Sequence, residues 1–264
     1  MASNDSFPPT SSSSGWPTST DSSRVSEQQA LLLDKLRLKQ ELSRRLARRR
    51  LEFYSPYPKQ REFHTGGAIH RERCLWAGNQ LGKTYAGAAE TAYHLTGRYP
   101  PDWEGRRFDR PLRGWVGSDG FRAARDSAQK TLIGPPEDES QWGTGLIPGD
   151  DILDWARASS GVPNLLDHVC VQHHANRGTI AEPRFERDGV SVLGIRSFDQ
   201  GRAKWQGVTL DFVWFDEEPP YDVYLEGLSR TNATNGLVWI TFTPLKGLTP
   251  LVQSFIDECG IPPD

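Results

Sequence analysis

The segment Ala77-Gly78-Asn79-Gln80-Leu81-Gly82-Lys83-Thr84 restricts what this chain can fold into more than any other stretch. An apolar run, Cys74-Leu75-Trp76, precedes it and an alanine-rich run, Lys83–Leu95, follows. The order predicts strand, tight loop and helix in succession. The loop matches the phosphate-binding pattern G-x-x-x-x-G-K-[ST], with Ala77 where the first glycine usually stands. Gly78 and Gly82 let the backbone curl so that successive N–H groups face an anion. Lys83 adds a point charge for the β- and γ-phosphates, and the Thr84 hydroxyl is a ligand for Mg²⁺. The helix that follows presents its positive end to the same anion. Gly78, Asn79, Gln80, Leu81, Gly82, Lys83 and Thr84 are therefore the expected nucleotide-binding residues.

Phosphate chemistry of this kind also needs carboxylates. Phe212-Val213-Trp214-Phe215 reads as a buried strand that ends in Asp216-Glu217-Glu218. In open α/β sheets, ligands bind at the C-terminal edge of the strands. Asp216 is placed there to hold Mg²⁺ through water and Glu217 to polarise an attacking water, with Glu218 as the alternative base. The long separation between Lys83 and Asp216 suits ATPases in which an additional strand lies between the two motifs.

Strand and helix patterns alternate through the body. Strands are predicted at about 72–77, 112–116, 190–196, 212–216 and 237–242, and helices at about 83–95, 119–132, 221–228 and 250–258. The alternation predicts an α/β domain with a mainly parallel central sheet flanked by helices. His168–His174 and Thr179–Ala181 could pair as strands. Residues 134–164, rich in Gly, Pro and acidic residues, read as an irregular excursion. Residues 1–24 are Ser-, Thr- and Pro-rich and are predicted to be a disordered low-complexity tail. Residues 25–51 read as a basic amphipathic helix carrying Leu32, Leu36, Leu42 and Leu46. Such a helix docks its leucines on the body or meets DNA or a partner subunit. Residues 52–264 form the predicted nucleotide-binding domain.

Several classes are excluded or disfavoured. No apolar run reaches the roughly 18–20 residues that span a bilayer, and no secretory signal opens the chain. The three scattered cysteines suit reduced thiols in the cytoplasm. A net charge of −3 argues against a protein that coats nucleic acid through a uniformly basic surface. His168, Cys170, His173 and His174 are close in sequence, but a structural zinc site would need a second cluster. Trp103 with Arg106 and Arg107 is more consistent with packing than with base stacking, and Ser159 and Ser160 lack partners for a hydrolase triad.

Four stretches together resemble the ATPase domain of tailed-phage terminase large subunits. They are Tyr57-Pro58-Lys59-Gln60-Arg61-Glu62-Phe63-His64, the phosphate loop, Trp205–Asp211 leading into Trp214-Phe215-Asp216-Glu217, and Thr241-Phe242-Thr243-Pro244. Each is weak alone; their order matches the family over about residues 54–256. The resemblance implies an additional-strand phosphate-loop NTPase fold. It also implies ATP hydrolysis that drives double-stranded DNA into a procapsid, by a ring of copies working with a portal protein and a small terminase subunit. The setting would be the host cytoplasm, with transient attachment to the procapsid and no membrane. By resemblance Gln60 reads adenine, and Thr241 and Thr243 couple the nucleotide state to movement. Many members carry an arginine in the phosphate loop, where this chain has Asn79, so a catalytic arginine is expected from elsewhere. Arg122 and Arg125 are the first candidates, for donation into a neighbour's site, and Arg202 and Arg230 are others. The family's C-terminal nuclease domain is not expected in this chain. The alternatives are a helicase-like translocase, or an inactive remnant that only binds partners.

Overall fold

The computed structural model describes residues 19–259, with side chains for 27–257. Residues 1–18 of the expected tail lie outside the described residues. The chain divides into two units at Arg45/Leu46. In the first, helix α1 spans Ser19–Ala47, so it starts earlier and ends earlier than the predicted 25–51. Its exposed surface includes Leu32, Leu36 and Leu42, and Arg45 pairs with Glu41 one turn away at 2.8 Å.

The second unit is built on a seven-stranded sheet. Helix α2 (Pro58–Gly66) leads into β1 (Glu72–Trp76), and α3 (Lys83–Thr96) leads to β2 (Arg113–Ser118). A helical stretch follows in three parts: α4 (Phe121–Ala123), a π-helical segment (Ala124–Gln129) and α5 (Lys130–Ile133). Then come β3 (Ile152–Arg157), β4 (Leu166–Asn176), β5 (Phe185–Ser197), β6 (Phe212–Asp216), α6 (Tyr221–Thr231), β7 (Leu237–Phe242) and α7 (Pro250–Cys259). The strand order is β1-β7-β6-β2-β5-β4-β3. The pairs from β1 through β5 are parallel, and β4 runs antiparallel to both its neighbours. The mainly parallel α/β sheet is thus observed. So is the additional strand: β7 separates β1, which feeds the phosphate loop, from β6, which ends in Asp216.

Two readings are corrected. The supposed excursion at 134–164 contains β3, whose residues are mostly exposed and lack the apolar alternation that marks a strand. Thr179–Ala181 is no strand; the partners of β4 are β3 and β5. His173 and His174 are both buried, within a stretch of β4 buried on both faces, and the β4–β5 register shifts between them.

The parallel strands are buried on both faces, hence their continuous apolar runs. On one face Phe212, Trp214 and Val116 pack under α3 with Ala88, Ala92 and Leu95. On the other, Val213, Phe215 and Trp115 pack with Trp205, Val223 and Leu251. Buried Glu90 ties α3 to its neighbours, accepting from Arg73 Nη2 on β1 at 2.5 Å and pairing with His64 Nδ1 on α2 at 2.7 Å. Burial alone would raise the Glu90 carboxyl, but Arg73 and the hydrogen bonds from His64 and His94 hold it well below the usual carboxylate range.

Gly87 sets how closely α3 approaches β6. A Cβ at that position would lie 2.6 Å from the Trp214 ring, so only glycine permits the observed packing. Gly87→Ala should lower stability by about 1–3 kcal/mol through overpacking, measured by urea unfolding; an unchanged midpoint would show that the helix and sheet can separate freely.

Candidate active site

The phosphate loop curls as its glycines allow. Gly82 caps α3 at φ 75°, and Gln80 takes up the left-handed region at φ 62°. Lys83 Nζ donates to Gly78 O at 2.8 Å, which holds the ammonium against the loop. Two contacts brace the loop from outside. Thr243 Oγ1, just beyond β7, donates to Asn79 Oδ1 at 2.8 Å. Gln60 Nε2 donates to Gly82 O at 3.1 Å, while Gln60 Oε1 accepts from Tyr57 N at 2.9 Å. Gln60 is only 5% exposed and its Nε2 also reaches Leu81 O at 3.5 Å, so an adenine base would compete with that long contact for the second N–H and could use the second lone pair.

Asp216, the last residue of β6, meets the first turn of α3. Its Oδ1 accepts from Thr84 Oγ1 at 2.8 Å and from Thr241 Oγ1 at 3.2 Å, and its Oδ2 accepts from Ser127 Oγ at 2.6 Å. Trp214 Nε1 in turn donates to Thr241 Oγ1 at 2.8 Å. The carboxylate is 1% exposed. Burial pushes its pKa up to about 6, against the hydrogen bonds from Ser127 and Thr84, and the neighbouring Glu217 charge adds to the rise.

These groups fit a hydrated divalent cation. A hydroxyl and a carboxylate are the hard oxygen donors that Mg²⁺ takes, and a desolvated carboxylate without a cationic partner gains most from one. Ser118 adds an independent sign. Ser118 stands opposite Asp216 in the sheet register, and its buried Oγ has no partner among the described residues. A buried hydroxyl left without a partner in the protein suits a bound water or ion.

The two glutamates after Asp216 part company. Glu217 has φ 92°, a conformation costly for a non-glycine residue and concentrated at functional sites. Its backbone N–H still bonds Thr241 O at 2.9 Å, but its side chain is exposed. Glu218 turns inward, is 6% exposed and accepts from Thr249 Oγ1 at 2.5 Å. The alternative base is therefore already engaged, while Glu217 faces solvent.

The candidate arginines also separate. Arg125 forks onto its neighbour Asp126 and donates to Pro163 O at 3.1 Å. Arg202 and Arg230 both pair with Glu226. Arg122 is exposed and has no hydrogen bond or ion pair with any described residue. No cluster of metal-ligating residues occurs among the described residues; His173 and His174 pair with Asp188 and Asp151. Trp103 is buried in the core. Sequence reasoning missed Ser118 and Ser127, since isolated serines in a strand end and a helix carry no signal of their own.

A phosphate-type loop on β1, a carboxylate on β6 and an extra strand between them define an additional-strand α/β domain of the phosphate-loop class. The family model for "terminase large subunit, T4likevirus-type, N-terminal" matches residues 74–263, and the chain belongs to that family. It is 43% identical over 215 residues to the terminase large subunit of Salmonella phage P22, covering 77% of this chain and 42% of that protein. It is 26% identical over 224 residues to the terminase large subunit of Enterobacteria phage LP7, covering 77% and 43%. The chain thus spans about two-fifths of the length of these relatives. The fold is similar to that of the large terminase ATPase domain of Thermus phage P74-26, with a TM-score of 0.52 and 21% identity over 78% of this chain and 71% of that one.

The raised Asp216 pKa has a consequence for stability in the absence of metal. Its folded-state value of about 6 lies above the unfolded value near 3.9, so the folded state binds the proton more readily. The stability this contributes is present below about pH 4 and is lost as pH rises through 6. Asp216→Asn should therefore stabilise the metal-free protein at pH 7.5 by roughly 1–3 kcal/mol, with the gain vanishing near pH 4. Chemical denaturation at both pH values checks it; a variant less stable at pH 7.5 would contradict the assigned shift.

Proposed function

We propose that residues 52–264 are the ATP-hydrolysing motor of a terminase large subunit and drive double-stranded DNA into a procapsid. The observation that carries the reading is the 2.8 Å contact between the Thr84 hydroxyl and the Asp216 carboxylate, with Lys83 and the exposed Glu217 beside it. Family membership supports the DNA-packaging context. Copies would assemble as a ring with a portal protein and a small terminase subunit, in the host cytoplasm and transiently on the procapsid.

In this mechanism the loop N–H groups and Lys83 bind the phosphates of ATP, and Gln60 contacts adenine with the polar capacity it has left. Mg²⁺, held by Thr84 and through water by Asp216, would neutralise charge on the β- and γ-phosphoryl oxygens. Glu217 takes the proton of the attacking water as its oxygen bonds the γ-phosphorus and the bond to the β-phosphate oxygen breaks. Thr243, bonded to Asn79 of the loop, and Thr241, bonded to Asp216, report these events to β7. Arg122, without a hydrogen bond or ion pair among the described residues, is offered to a neighbour's site. This favours it over Arg125.

Lys83→Ala should abolish ATP hydrolysis. Glu217→Gln should bind ATP within about threefold of the parent yet turn over about 10²–10⁴-fold more slowly. Turnover at the parental rate in the Lys83→Ala protein would end the proposal.

Arg122→Ala should lose about 10³-fold or more in turnover, and mixing it with Lys83→Ala protein should restore part of the rate. No recovery on mixing, measured across protein concentration, would place the arginine's action within its own subunit.

A further inference from the structure

Asp216 is held from two sides. Its Oδ1 faces α3 and β7, through Thr84 and Thr241. Its Oδ2 has one donor among the described residues, Ser127 Oγ at 2.6 Å, the shortest of the three contacts. Ser127 is remote from both nucleotide motifs in sequence and reaches the carboxylate by an unusual route. It lies within the π-helical segment Ala124–Gln129, between α4 and α5. One-turn π segments inside α-helices frequently mark functional sites, because the inserted residue re-aims the side chains around it.

The segment is pinned from its other side. Thr131 Oγ1 donates to Ser127 O at 2.8 Å, a carbonyl that also accepts from Lys130 N–H. Gln129 Nε2 donates to Asn164 O at 2.8 Å, and Gln129 Oε1 accepts from Leu166 N at 2.9 Å. Ser127 is thus presented by a fixed backbone, and its single hydroxyl hydrogen goes to Asp216.

We propose that Ser127 is a positioning residue for the divalent cation: it sets the carboxylate plane of Asp216 so that this group and the Thr84 hydroxyl meet one ion. The inference rests on the phosphate-loop reading above. The division of labour follows from the donor geometry. Thr84 can donate its hydrogen to Oδ1 while its lone pairs face the cation, and Ser127, bonded to the other oxygen, stops the carboxylate turning away. Groups that orient a metal-binding carboxylate in this manner typically contribute about 10–100-fold to metal affinity. The same bond links the cation site to the helical stretch that carries Arg122.

The test compares the parent with Ser127→Ala, Ser127→Thr and Thr131→Val, following binding of a fluorescent ATP analogue first in EDTA and then across a Mg²⁺ titration. Ser127→Ala should bind the analogue in EDTA within about twofold of the parent but need about tenfold more Mg²⁺ for its half-maximal Mg²⁺-dependent change. Ser127→Thr keeps the hydroxyl and should stay within about threefold of the parent. Thr131→Val loosens the π segment without touching Asp216 and should lower the melting temperature more than it moves the Mg²⁺ midpoint. A Ser127→Ala midpoint equal to the parent's overturns the inference, as does an equal shift in Thr131→Val, which would make the bond merely structural. A parent chain that shows no Mg²⁺-dependent nucleotide binding overturns the phosphate-loop reading itself, a result separate from any behaviour of the Ser127 variants.

Discussion

The close approach of α3 to the end of β6 is the constraint around which the second unit is arranged. A helix that follows a phosphate loop is useful only if its first turn meets an acid from another strand, and the two segments are more than a hundred residues apart in the chain. Gly87 removes the side chain that would hold α3 away from Trp214. Trp214 then fills the space and directs its indole N–H to Thr241. With that spacing set, Thr84 reaches Asp216 at 2.8 Å. Core packing and the polar site are parts of one contact: the face of β6 that buries Phe212 and Trp214 under α3 ends in the carboxylate.

The arrangement carries costs that make sense together. A carboxylate with 1% exposure, bonded by three hydroxyls and by no cationic side chain among the described residues, is disfavoured in its charged form. Glu217 holds a left-handed backbone that glycine would adopt more easily. Both costs fall within two consecutive residues, at the strand edge where α/β sheets bind ligands. By contrast, the buried charge of Glu90 midway along α3 is fully matched by Arg73 and two histidines. The fold satisfies a buried acid where it serves as an anchor and leaves one under-satisfied where a cation fits.

The loop is held as a unit with its neighbours. Gln60 grips the backbone at Gly82 from α2, and Thr243 grips Asn79 from the end of β7. The loop is thereby hydrogen-bonded to the end of β7, and Asp216 to Thr241 on that strand and to Ser127 on the helical stretch after β2. Asn79, within the loop, serves as an acceptor for Thr243.

The amino-acid sequence by itself determined the loop, the strand that precedes it, the helix that follows and the acidic end of Phe212–Asp216. These are local patterns: glycine spacing, alternation of strand and helix periodicity, and apolar runs bounded by charge. It also pointed to an added strand, because of the long separation between Lys83 and Asp216. Tertiary structure alone decided that β7 is that strand, that β3 exists despite its polar sequence, and that β4 buries two adjacent histidines. It separated Glu217 from Glu218 and Arg122 from Arg125, and it brought Ser127 to the carboxylate and Ser118 opposite Asp216 in the sheet register. Local periodicity reports which face of an element is apolar, whereas these outcomes depend on which strands are neighbours and how far each helix is offset along them. Those offsets are fixed by packing between segments distant in the chain, and no single segment encodes them.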